Sequence, residues 1–141
     1  MLSLLATLAT ALFAGAAIYI NLVEHPARLS CGTAAALQEW RPSYKRATVM
    51  QASLAMAGTL LAVAAWLSGA GAIWLLGAIA LGAVVPYTLI VMFPVNKRLE
   101  RADLDLASPE ALTLLQTWGR LHAIRSVLSL LALVLFVTAH R

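Results

Sequence analysis

The stretch Asn21-Leu22-Val23-Glu24-His25-Pro26-Ala27-Arg28 sets an amide, a carboxylate, an imidazole and a guanidinium close together at the end of an apolar run, MLSLLATLATALFAGAAIYI. Polar and ionisable groups are costly in a bilayer and mark a site when they occur there. On a helix, residues three, four and seven apart share a face. Asn21, Glu24, His25 and Arg28 fit that spacing, as do Trp118, His122, Arg125 and Ser129, and Tyr44, Thr48 and Gln51. Thr88, Asn96 and Lys97 supply a fourth group. Histidine titrates near neutrality and is the commonest metal ligand, so His25 and His122 suit proton transfer or metal binding. With Glu24 they make a two-histidine, one-carboxylate set, in principle an open site for a copper or iron ion. Against it, no His-x-x-x-His or Glu-x-x-His lies within one helix, and the adjacent Glu24 and His25 point about 100° apart. A site with no cofactor that moves protons, and a purely structural polar network, fit the same residues. Arg28, Arg46 and Arg125 fit three roles: partners of Glu24, stabilisers of an anionic substrate or intermediate, and headgroup anchors. Arg125 shares the face of His122, which favours the site. Trp40, Tyr44 and Trp118 read as an interfacial aromatic belt or as the wall of a pocket for a flat ligand. Trp66 and Trp74 read as belt residues, and His140 and Arg141 carry no role.

The chain that must position these groups is 62% hydrophobic and 11% charged over 141 residues, with mean hydropathy +0.86. Soluble domains are roughly 45–50% apolar and about 25% charged. One polytopic membrane domain over residues 1–141 follows. The formal charge of +4 is not gathered on a soluble module, so it bears on topology and not on nucleic acid. The single Cys31 can form no intrachain disulfide and reads as an incidental loop residue. The first segment has no Lys or Arg before its apolar run, which is longer than a signal-peptide core, so it reads as a retained span.

Four spans are expected, over about 2–23, 47–67, 72–93 and 121–139, each near the roughly 20 residues that cross a hydrocarbon core. The fold class is all-α, a transmembrane four-helix up-down bundle with both termini on one side. Ser68-Gly69-Ala70-Gly71 makes a tight turn between spans two and three. Longer charged loops over about 29–43 and 96–118 carry or adjoin most of the Lys and Arg. The positive-inside rule puts those loops in the cytoplasm and both termini outside, in the inner membrane if the cell is bacterial. Pro42 is expected in the first turn of helix two, and Ser108-Pro109-Glu110 as the start of helix four. Gly58 with Ala62, and Ala78 with Gly82, permit close helix packing. Pro26 and Pro94 either end their spans or, like Pro86, interrupt them, in which case the carbonyls of Leu22, Ile90 and Gly82 lose their donors. The topology brings all four polar groups to the charged end of the bundle.

At these residues the chain resembles the anthrone oxygenase-like family of small four-span membrane proteins. The resemblance is carried by Phe13-Ala14-Gly15, the Asn21–Arg28 stretch, Trp40-x-x-x-Tyr44-x-Arg46, Gln51, Pro86-Tyr87-Thr88, Pro94-x-Asn96-Lys97 and Trp118-x-x-x-His122-x-x-Arg125. It implies an oxygenase acting with dioxygen on an anthrone or another flat, hydrophobic aromatic. His25, His122, Glu24 and Arg125 would then be catalytic. Asn21, Arg28, Trp40, Tyr44, Arg46, Gln51, Asn96, Lys97 and Trp118 would bind substrate. The alternatives are a non-catalytic small-molecule- or metal-binding protein and a membrane assembly partner, with a homo-oligomer compatible with each.

Overall fold

The computed structural model describes residues 1–140. Among them, four helices are long and apolar enough to cross a membrane: α1 (Leu2–Ser30), α2 (Thr33–Ala70), α3 (Ala72–Glu100) and α4 (Pro109–Ala139). They form an up-down bundle in which α1 packs on α2 and α4, and α3 packs on the same two. The buried faces explain the arrangement. Ala6, Thr10, Phe13 and Ala17 on α1, Gln51, Ala55, Gly58, Ala62 and Ala65 on α2, and Leu115, Trp118, His122, Ser129 and Phe136 on α4 recur at steps that sum to seven or multiples of it. That period keeps one seam facing its neighbours. Leu8, Leu12, Leu60, Leu76, Ile79, Leu89, Val127 and Val134 point outward from the spans, as an integral membrane protein requires. At Gly58 the helices approach so closely that a Cβ would lie 2.7 Å from Leu81 Cδ2 and 3.0 Å from Thr10 Oγ1.

The helices run further into the charged end than composition suggests. The loop expected over 29–43 is mostly helix: α2 begins at Thr33, after Gly32 turns the chain at φ 90°, and Pro42 lies inside it instead of in its first turn. Ala34-Ala35-Ala36-Leu37 are strong helix formers, and nothing between Thr33 and Arg41 stops the helix. The second charged loop shrinks to Arg101–Ser108, because α3 continues to Glu100. Arg41 caps that end, donating from Nε to the Leu99 carbonyl (3.0 Å) and from a terminal nitrogen to the Arg101 carbonyl (2.7 Å). Ser108 accepts from the Ala111 N–H at 3.1 Å and starts α4, as expected. Arg98 then clamps Glu110 with two hydrogen bonds of 2.7 and 2.9 Å.

Neither Pro26 nor Pro94 ends its helix. Each is preceded by a widened turn, Ile20–Glu24 and Thr88–Met92, in which the His25 N–H reaches Ile20 O and the Phe93 N–H reaches Thr88 O, five residues back. A proline removes one N–H and crowds the carbonyl four residues earlier, and a π turn relieves that crowding. The two widened turns lie at the same end of the bundle, where Asn21 and Glu24 sit. At the opposite end, Trp74 is not a belt residue: it is 2% exposed and stacks on Phe136 (centroids 4.8 Å apart). His140 also has contacts there, edge-on to Trp74 and 3.1 Å from Thr7 Oγ1. Arg141 lies outside the described residues.

Candidate active site

The widened turn of α1 aims Asn21 at α4. Its Nδ2 donates to the Gly119 carbonyl at 2.9 Å, which fixes the orientation of the amide. Asn21 Oδ1 then accepts from His122 Nδ1 (2.7 Å) and from the Ser126 hydroxyl (2.6 Å). A carbonyl oxygen can only accept, so His122 carries its proton on Nδ1 and its lone pair on Nε2. Among the described residues nothing donates to Nε2, and His122 lines a small cavity. His25 is fixed in the opposite sense. Its Nε2 lies 3.0 Å from the Leu115 carbonyl and must donate, which leaves Nδ1 a buried lone pair without a partner. Its ring lies flush against Gly119, where a Cβ would sit 2.7 Å from His25 Cδ2.

The aromatic residues wall this region. Trp40 stacks on Tyr44 (4.7 Å, 7°) and meets Trp118 edge-on at 5.7 Å. Trp118 packs against both imidazoles, 5.1 Å from His25 and 4.8 Å from His122. Trp40 and Trp118 are buried, so they form a pocket wall and not an interfacial belt. The cavity they line, with Glu24, Gln51, His122 and Arg125, measures about 20 Å³. Space of that size holds one or two waters, or a diatomic gas, and not a fused ring. A second, apolar cavity of about 120 Å³ adjoins it and shares Thr48, Gln51 and Arg125.

The charges divide into two kinds. Arg28 is buried and pairs with both Glu24 and Glu39, and the Ser43 hydroxyl donates to Glu24 Oε1 at 3.1 Å. Arg28 and Glu24 are therefore a closed ion-pair cluster at the rim. Arg125 differs. It donates to Gln51 Oε1 at 2.7 Å and lies over the Phe13 ring at 5.6 Å, but it makes no ion pair among the described residues. Its Nε and Gln51 Nε2, like the indole N–H groups of Trp40 and Trp118, are buried donors without a partner. A cation with four unused donors around a small cavity suits an anionic oxygen.

The bundle thus brings together Asn21, His25, Trp40, Tyr44, Gln51, Trp118, His122 and Arg125. Arg46 and Lys97 are exposed and stand apart from the cavity, because helical continuation through Pro42 and Pro94 carries them round to the outer face. Asn96 is buried, with Oδ1 unpaired, but does not line the cavity. His25, His122 and Glu24 do not converge as a metal-ligand set: no group of three or more His, Cys, Asp or Glu among the described residues could hold an ion. Gly119, Ser126, Ser43 and Glu39 belong to the site and have no signal of their own in the sequence, apart from Ser126 lying one turn beyond His122.

A family model described as anthrone oxygenase matches residues 40–135, about two thirds of the chain. The chain belongs to the anthrone oxygenase family. The matched region contains Trp40, Gln51, His122 and Arg125, whereas Asn21 and His25 precede it. No curated protein and no solved structure matches the chain.

Proposed function

We propose that this member of the family is a membrane oxygenase that converts an anthrone-like aromatic to the corresponding quinone with dioxygen. The observation that carries the reading is the pairing of a tautomer-fixed imidazole, His122, with an arginine that has no carboxylate partner among the described residues, on one face of α4. An anthrone has an acidic methylene flanked by two rings and a ketone. His122 Nε2 takes one methylene proton, and the electron pair left behind delocalises onto the ketone oxygen. Arg125, with the free donors of Gln51 and the indoles, stabilises that oxyanion in surroundings that exclude water. The electron-rich carbon adds dioxygen, and the imidazolium returns the proton to the terminal oxygen as a hydroperoxide. Loss of the second methylene hydrogen with cleavage of the O–O bond forms the new C=O and releases water. One anthrone and one dioxygen give one anthraquinone and one water. The four electrons lost by carbon reduce both oxygen atoms.

His25 stands behind Trp118 and orients it. Arg28 with Glu24 and Glu39 holds the rim. A cytoplasmic location of the charged end belongs to the same proposal and rests on the Lys and Arg bias of the loops. The test is oxygen uptake by the purified protein in nanodiscs with anthrone, corrected for the reaction in empty nanodiscs. The expected result is one dioxygen consumed per anthraquinone, with His122→Gln and Arg125→Gln each slowed by about 100-fold. Uptake equal to that of empty nanodiscs, or unchanged in both variants, overturns the reading.

A further inference from the structure

The cavity beside His122 is too small for a fused ring, so a flat substrate must lie mostly outside it, with its ketone oxygen and, across the central ring from that oxygen, its methylene carbon both within reach of α4. The adjoining cavity of about 120 Å³ is larger, mostly apolar, and shares Thr48, Gln51 and Arg125 with the first. Its walls are α2 (Thr48, Ala52, Ala55) and α3 (Val84, Val85, Leu89), and Arg125 and Phe13 close it from within. Ala52, Val85 and Leu89 are exposed along the apolar, lipid-facing part of the two helices. Nearer the termini α2 and α3 are in tight contact through Gly58 against Leu81. Towards the charged end α3 is interrupted near Ala83 and Pro86, the facing side chains of α2 are small, and the two helices touch less. Apart from the hydroxyls of Thr48 and Thr88, the polar groups lining the groove, Gln51 and Arg125, lie at its inner end. Gln51 is 1% exposed, and its Nε2 has no partner.

We propose that this lateral groove between α2 and α3 is the port and ring-binding subsite for a bilayer-dissolved, flat aromatic that carries one carbonyl or anionic oxygen. Its rings lie against Ala52, Ala55, Val84 and Val85, and its oxygen ends at Gln51 Nε2 and the Arg125 guanidinium. The substrate reaches the site from the lipid phase and not from the charged loops. Arg125 selects the oxygen-bearing end, because a half-buried guanidinium with no counter-ion among the described residues is relieved by an anion and not by a hydrocarbon. The inner cavity beside His122 is then left for dioxygen or water. The inference rests on the oxygenase reading for the identity of the substrate, but its test needs no turnover.

The experiment is equilibrium binding of anthracene-9-carboxylate and of anthracene to the full chain in nanodiscs of neutral lipid, read by probe fluorescence. Empty nanodiscs give the partition background. Ala52→Trp places an indole across the mouth at an exposed position, and Val127→Trp places one on lipid-facing α4, away from the groove. The expected result is saturable binding of the carboxylate about tenfold tighter than of anthracene, weakened about tenfold by Ala52→Trp and unchanged by Val127→Trp. Unchanged binding in Ala52→Trp, or equal weakening by both tryptophans, overturns the port. Equal binding of the two probes overturns the role of Arg125 as the selecting end. Groove binding in a protein that consumes no oxygen with anthrone would leave the port standing and remove the oxygenase reading. Turnover with probe binding and KM unaffected by Ala52→Trp would do the reverse.

Discussion

Gly119→Ala isolates the contact between α1 and α4 at the site. In the native structure the Cβ would sit 2.7 Å from His25 Cδ2 and 2.8 Å from Nε2, where ordinary contact begins at 3.4 Å. The imidazole must therefore retreat by about 0.7 Å, enough to stretch its 3.0 Å bond to the Leu115 carbonyl and to press on Trp118. Overpacking of this kind costs about 1–3 kcal/mol, and a weakened hydrogen bond about 1 more. Alanine in place of glycine inside a helix returns about 1 kcal/mol through propensity. The expected net effect is a destabilisation of about 1–3 kcal/mol. In a His25→Ala background the clash disappears and only the propensity gain remains. There the same substitution should stabilise by about 0.5–1 kcal/mol. The assay is reversible unfolding of the four proteins of this double-mutant cycle, and the expected change of sign is a coupling of about 2–4 kcal/mol. If Gly119→Ala has the same effect in both backgrounds, the packing of His25 against the α4 backbone is wrong, and with it the placement of α1 over the site.

Asn21→Leu removes the acceptor shared by His122 Nδ1 and Ser126, leaving two buried donors unpaired, and should cost about 2–4 kcal/mol in unfolding experiments together with a loss in kcat. Arg28→Ala leaves Glu24 and Glu39 without their common cation; because water reaches Glu39, about 1–2 kcal/mol is expected by the same unfolding measurement, well under the cost for a fully buried pair. In the loop between α3 and α4, hydrogen bonds from Arg101, with Arg98 nearby, hold the Asp103 carboxyl below its ordinary range. A depressed folded-state value means that its stabilisation is present above the ordinary carboxylate range and lost as pH falls through the depressed value. Hydrogen-exchange protection over residues 101–108 should therefore be lower in Asp103→Asn at neutral pH and converge with that of the native chain in strong acid.

The architecture was legible because it depends on length and apolar content. A run of about 20 apolar residues can cross a bilayer in few ways, and Ser68–Gly71 leaves room only for a turn. Of the helix ends beside the charged loops, the start of α4 at Ser108-Pro109-Glu110 was legible and the others were not. Pro42 read as a helix start, and Pro26 and Pro94 as either ends or interruptions of their spans, yet packing and widened turns carry the helices through all three, and that rotates Arg46 and Lys97 out of the site. Spacing placed His122, Arg125 and Gln51 correctly on inward faces. It could not separate an arginine already paired, Arg28, from one without a carboxylate, Arg125, because Glu39 reaches Arg28 only through the tertiary fold. Burial of Trp40 and Trp74 was likewise invisible, since an indole at a membrane boundary suits either lipid or core. Gly119 matters through what it lacks, and only the position of His25 reveals it.

The central claim is that His122 makes an aromatic oxyanion that Arg125 holds. The most direct measurement is the absorption spectrum after anaerobic mixing of the protein with anthrone, where the chemistry stops before dioxygen adds. The band of the bound anthrone oxyanion is expected with the native protein, is expected to be absent with His122→Gln, and should be bleached to the quinone when oxygen is admitted. No band with the native protein, or the same band with His122→Gln, would contradict the claim.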